Sequence, residues 1–203
     1  MSHMGAPRRA DAPRLFWVTS LAGLGVFGLA VALDAVLPVS LLDFAPPTFA
    51  GALKSLLIGA AATAPLVALL IIFMRTSYPP LVRFKEAQID FLGDLGFSLT
   101  PFRIVTIGLV AGLGEEALFR GVLQSYAATL MPVAAAIVAP NILFGLLHAR
   151  TALYAVIAAS LGVYLGALFV WTGDLIAPIS THALYDMAAL EIARREIAKR
   201  IAG

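Results

Sequence analysis

The chain has 203 residues, 61% of them hydrophobic and only 13% charged, with a mean hydropathy of +0.93, a balance that excludes an ordinary soluble domain and marks a polytopic membrane protein. A formal net charge of +2, dispersed along the chain, gives no basis for nucleic-acid binding, and the absence of Cys excludes disulfides, thiolate nucleophiles and Cys-ligated metal. The pattern is continuous, without a polar linker, internal repeat or low-complexity stretch, so one folded unit is expected.

The expected fold is all-α: a membrane helix bundle of about six transmembrane helices plus one interfacial helix, with both termini cytoplasmic. Met1-Ser2-His3-Met4 has the look of a cloning scar, and 1–14 reads as a cytoplasmic segment carrying Arg8, Arg9 and Arg14. Leu15–Leu33 is uncharged and of spanning length; it is longer than a signal-peptide core, which favours a retained first span. Asp34–Thr48 holds three prolines and reads as a loop, and Phe49–Met74 is the second span, with a bend expected at Pro65. In 75–99, Leu81, Phe84, Phe91, Leu92 and Leu95 recur at helical spacing while Glu86, Asp90 and Asp94 line another face, as in a helix lying on the membrane. Its simplest role is a connector; the alternative is a lid or entrance. Together 15–100 make the N-terminal helices and connector.

Region 101–203 holds the buried charge and a basic tail. Thr100-Pro101 supplies an N-cap and a favoured first residue for a third span reaching about Tyr126. Pro132–His148, kinked at Pro140, Leu153–Trp171, with Gly162 and Gly166 suited to close packing, and Leu175–Leu190 complete the six. The tail continues as a helix paired Glu191/Arg195 and Glu196/Arg200. With the N-terminus inside, twelve of the Lys and Arg side chains fall on the cytoplasmic side; Lys54 falls outside and Arg120 within the bundle. That asymmetry places both termini in the cytoplasm.

The chemistry gathers around Gly114-Glu115-Glu116-Ala117-Leu118-Phe119-Arg120. An ionised group near the bilayer centre costs about 3 kcal/mol on insertion scales, so such groups default to function. Glu116 and Arg120 are four apart and share a helix face, which pairs them; Glu115 lies roughly 100° further round and is left free. Asn141, Phe144 and His148 share a face of the fourth span. His182 and Asp186 are four apart on the sixth, where the carboxylate can hold one imidazole nitrogen while the other meets a ligand. Singly, a membrane His is more often an interhelical hydrogen-bonder, and Glu116–Arg120 by itself suits a packing clamp. A clamp needs only one acid, however, and the second adds desolvation cost.

Glu115-Glu116-x-x-x-Arg120, Phe144-x-x-x-His148 and His182-x-x-x-Asp186, in that order over Pro101–Leu190, resemble the three-motif signature of the CPBP family, the type II CAAX prenyl proteases and bacteriocin-processing enzymes, also called Abi. The resemblance implies a glutamate-dependent intramembrane endopeptidase, with no nucleophilic Ser or Cys and no cofactor. It implies that Glu115 and His148 activate a water, that His182, steadied by Asp186, stabilises the oxyanion, and that Glu116 and Arg120 fix the helix and tune Glu115. Asn141 and Phe144 are supporting positions. The family often has Asn where this chain has Asp186, which donates only when protonated.

Three alternatives remain at this stage: a zinc metallopeptidase with ligands Glu115, His148 and His182, although HExxH is absent; an immunity or scaffold protein; and a proton-coupled transporter, although repeated halves are absent. The expected partners are the lipid bilayer and a membrane-associated protein or peptide substrate. The short Ala/Gly/Leu-rich chain suggests a bacterial cytoplasmic membrane, where leader peptides or membrane-anchored tails are natural substrates. One difficulty is depth. Glu115 lies roughly 20 Å along its helix from the cytoplasmic end, whereas His148 closes the next span. A third span that protrudes, or a fourth distorted at Pro140, would bring them level.

Overall fold

The computed structural model describes residues 12–202. The 1–4 tetrapeptide, Arg8 and Arg9 lie outside the described residues. The described chain is all helical, without a strand. Helix α1 is Pro13–Asp34, α2 Phe49–Met74 and α3 Pro79–Gly93. Helix α4, Pro101–Glu116, runs on through a π-helical segment, Ala117–Gln124, into the short α5, Ser125–Ala128. Helices α6 (Val133–Leu147), α7 (Ala152–Thr172) and α8 (Ile176–Ala202) follow.

Local chemistry sets these boundaries. Threonine hydroxyls accept the first free N–H groups of three helices: Thr48 from Gly51 (3.0 Å), Thr100 from Arg103 (3.3 Å) and Thr151 from Tyr154 (3.1 Å). Gly173, at φ +73°, closes α7 in the left-handed conformation that a side chain would strain. Asp174 then caps α8, accepting from the N–H groups of Ile176 (2.8 Å) and Ala177 (3.2 Å) and from the Ser55 hydroxyl of α2 (2.5 Å). The 34–48 connection is more ordered than a plain loop. It contains a 3-10 turn, Leu41–Phe44, held where Asp34 Oδ1 accepts from Leu41 N–H (2.7 Å).

Helices α1, α2 and α7 are long and apolar enough to cross a membrane; α6 is apolar but shorter. Only 17% of the most apolar stretch of α1, and of α2, is buried inside the protein, so most of that surface needs lipid to cover it. The fold is therefore a membrane helix bundle. The interior is built by α4 and α2 packing on α8, α1 on α4, and α6 on α7. Small residues let α4 and α8 approach closely. A Cβ on Gly108 would come 2.8 Å from the Ala183 carbonyl, and one on Gly112 2.9 Å from that of Ile179. Helices α2 and α6 continue unbroken through Pro65 and Pro140.

Two expectations about the termini of elements are corrected or extended. Arg200 does not pair with Glu196. It reaches across to Glu86 and Asp90 (2.8 Å) on α3, leaving Glu196 to Lys199 (2.6 Å). The end of α8 lies against α3, and a face with two carboxylates competes better for a guanidinium than one exposed neighbour. The same contact accounts for the acidic face of α3, while Ile89 is buried on its other side. The pair Glu191–Arg195 forms as expected (2.6 Å), joined by Arg194 (2.7 Å).

Candidate active site

The third-span helix widens where its charged residues sit. From Ala117 to Gln124 the backbone is π-helical, a geometry frequent at functional sites. Glu116, Arg120 and Gln124 follow at four-residue steps, and all three are buried, the first two to 0% exposure. Arg120 is fully engaged. One terminal nitrogen donates to Glu116 Oε1 (2.9 Å), and the other to Asn141 Oδ1 (3.1 Å) and the Gly162 carbonyl (2.7 Å). One guanidinium thereby joins α4, α6 and α7, a use that suits its rigid fork of donors. Its planar group also lies 5.4 Å from the Phe144 ring centroid. The carbonyl of Gly162 is reachable because that residue lacks a side chain; a Cβ there would collide with Asn141.

Two histidines are fixed from behind. His182 Nδ1 lies 2.7 Å from Glu116 Oε1, the oxygen that also accepts from Arg120. A carboxylate oxygen in that position accepts, so Nδ1 carries the proton and Nε2 faces the site. His148 Nδ1 lies 2.8 Å from the Phe144 carbonyl, which can only accept, and its Nε2 likewise faces inward. Phe144 packs between them, 4.3 Å from the His148 ring and 6.4 Å from the His182 ring, with Phe119 edge-on at 4.9 Å.

Glu115 completes the arrangement. Its Oε2 is 3.9 Å from Nε2 of His148 and 3.9 Å from Nε2 of His182. Both distances exceed a direct hydrogen bond and suit one bridging by a small polar molecule. Asp186 Oδ2 stands 3.5 Å from the same His182 nitrogen. The pairing with Asp186 suggested by the four-residue spacing is thus present on Nε2, and Glu116 adds a closer contact on Nδ1 that the spacing did not announce. Asp186 lies on the open side of the ring with Glu115. Among the described residues, no group of three His, Cys, Asp or Glu side chains is arranged to hold a metal ion, the Glu115/His148/His182 set included.

All eight side chains singled out from the sequence thus fall in one connected cluster from α4 and the π segment, α6 and α8. Glu115 and His148 are level for a simple reason. They stand nearly the same number of residues from the 129–132 turn that joins α5 to α6, so an antiparallel hairpin brings them together. Helix α6 is the short arm, and the first half of α4 overhangs it to pack on α1 and α8. Gln124 escaped notice although its spacing from Arg120 announced it; its amide donates to the Gly166 carbonyl (3.0 Å). The π geometry had no sequence signal.

A membrane bundle with imidazoles and carboxylates converging in its interior suits acid–base chemistry such as hydrolysis within the membrane. Residues 97–188, a segment containing the whole cluster, match the family described as "Rce1-like: Type II CAAX prenyl endopeptidase Rce1-like". That segment, somewhat under half of the chain, is thus similar to the CAAX-type proteases of the CPBP family, which supports reading the chain as an intramembrane protease of that general kind. No curated protein and no solved structure matches it.

Proposed function

We propose that the chain cleaves a peptide bond in a membrane-associated protein or peptide by a glutamate-dependent mechanism, using a water held between Glu115, His148 and His182. The observation that carries this reading is the pair of 3.9 Å separations from one carboxylate oxygen to two imidazole nitrogens. In the reaction, Glu115 takes a proton from water as the oxygen adds to the scissile carbonyl carbon, with the His148 Nε2 lone pair orienting that water. The carbonyl oxygen becomes an oxyanion. His182 in its doubly protonated form donates Nε2–H to it while Nδ1–H stays on Glu116. The C–N bond then breaks, Glu115 returns the proton to the leaving amine, and a carboxylate and an amine are released.

The charge distribution supports six spans with both termini cytoplasmic. Arg150 and Arg200 gather with α3 at one end of the bundle, where Arg150 stacks on Phe91 and Arg200 meets Asp90. His148 follows the last turn of α6 two residues before Arg150, which supports a site near that end. A bacterial cytoplasmic membrane fits this composition, where leader peptides or membrane-anchored tails, prenylated or not, are the substrate classes to test. Comparative peptidomics of cells producing the wild type or Glu115→Gln tests the reading. A cleavage product present only with the wild type supports it and names the substrate class; identical peptidomes under equal expression contradict it.

A further inference from the structure

We propose that Tyr154 is a further catalytic residue of this site, its phenol donating a hydrogen bond to the scissile carbonyl oxygen as that oxygen gains charge. The proposal rests on the water-activating role given to Glu115. Tyr154 opens α7, where the Thr151 hydroxyl accepts its N–H at 3.1 Å and fixes the backbone. Its ring is wedged edge-on to His148, with centroids 6.4 Å apart, and 6.3 Å from Phe84 of α3, while the Arg150 guanidinium lies 5.4 Å from it. The same His148 ring has its Nε2 3.9 Å from Glu115 Oε2, so Tyr154 packs on the imidazole that faces the proposed base.

The contrast with the other tyrosine of the same helix is informative. Tyr164 donates its hydroxyl to the Ala62 carbonyl at 2.8 Å and so ties α7 to α2. Among the described residues the Tyr154 hydroxyl makes no hydrogen bond, although its ring is well packed. A phenol held rigidly beside a reaction centre, with its donor uncommitted, suits a charge that appears only in the transition state. The site needs such a donor. His182 Nε2 faces Asp186 at 3.5 Å and Glu115 at 3.9 Å, and one N–H shared with two carboxylates is a poor sole partner for an oxyanion.

Tyr154→Phe keeps the ring and removes only the donor. With the full-length chain in detergent and a quenched-fluorescent transmembrane peptide as probe, the substitution is expected to lower kcat about 10- to 100-fold. KM should stay within about twofold, with an unchanged thermal midpoint. A kcat within about twofold of wild type, or a rise in KM alone, overturns the role while Glu115→Gln remains inactive. Wild-type cleavage by Glu115→Gln would instead overturn the underlying mechanism. The two failures are thus distinguishable.

Discussion

Glu116 holds His182 through a single oxygen: Nδ1 of the ring lies 2.7 Å from Oε1, and Arg120 donates to that same oxygen at 2.9 Å. The second glutamate of the doublet is therefore the link between a buried cation and the site, and its loss should be felt in both stability and rate. Removing one member of a buried pair typically costs about 3–5 kcal/mol, because the other charge is left uncompensated, whereas removing both costs much less. Glu116→Gln and Arg120→Met are each expected to destabilise strongly, and the double variant by less than their sum. Unfolding of the four proteins in bicelles measures the coupling; additive effects would show that the pair does not act as a unit.

Gly162 should tolerate no side chain. Its Cβ would strike Asn141, which holds Arg120 at 3.1 Å, so Gly162→Ala is expected to cost about 1–3 kcal/mol and to lower activity with it. Gly28 on α1 has open space around the same position, and Gly28→Ala should leave stability unchanged or slightly raised. Thermal midpoints of the two variants, measured side by side, separate close helix packing from general intolerance of alanine.

Much of this arrangement was legible in the sequence because it is periodic. A four-residue spacing announced Glu116–Arg120, spacings of three and four announced the shared face of Asn141, Phe144 and His148, and Thr100-Pro101 announced the start of α4. What periodicity cannot express was missed. Besides Asp186 on its own helix, His182 is held more closely by Glu116 of α4, and Arg200 leaves its neighbour Glu196 for α3. Both are tertiary contacts that local spacing does not announce. The apparent depth mismatch of Glu115 and His148 came from measuring each along its own helix instead of from the turn they share. Gln124 continues a pattern that was read only as far as Arg120.

The tail offers a pH test remote from the site. Hydrogen bonds from Arg194 and Arg195 draw the Glu191 carboxyl down to about 2, from an ordinary value of 4.5. A group depressed in the folded state stabilises it above its unfolded value, and that contribution is lost as pH falls through the folded one. The thermal midpoint should therefore decline between about pH 5 and pH 2 by more in the wild type than in Glu191→Gln. Equal declines would show that these pairs contribute nothing, as exposed pairs often do.

Chelation separates the glutamate mechanism from a zinc one. The proposed chemistry needs no metal, so purified protein should cleave at an unchanged rate after exhaustive chelator treatment, and elemental analysis should find no stoichiometric zinc. Loss of activity on chelation, restored by zinc, would instead make Glu115, His148 and His182 ligands.

The most direct measurement is the cleavage rate of purified Glu115→Gln, a change that preserves shape and removes the base. The account predicts a fall of about 10²- to 10⁴-fold, the usual contribution of a general base, with thermal stability retained. A rate equal to wild type in a folded protein would contradict it.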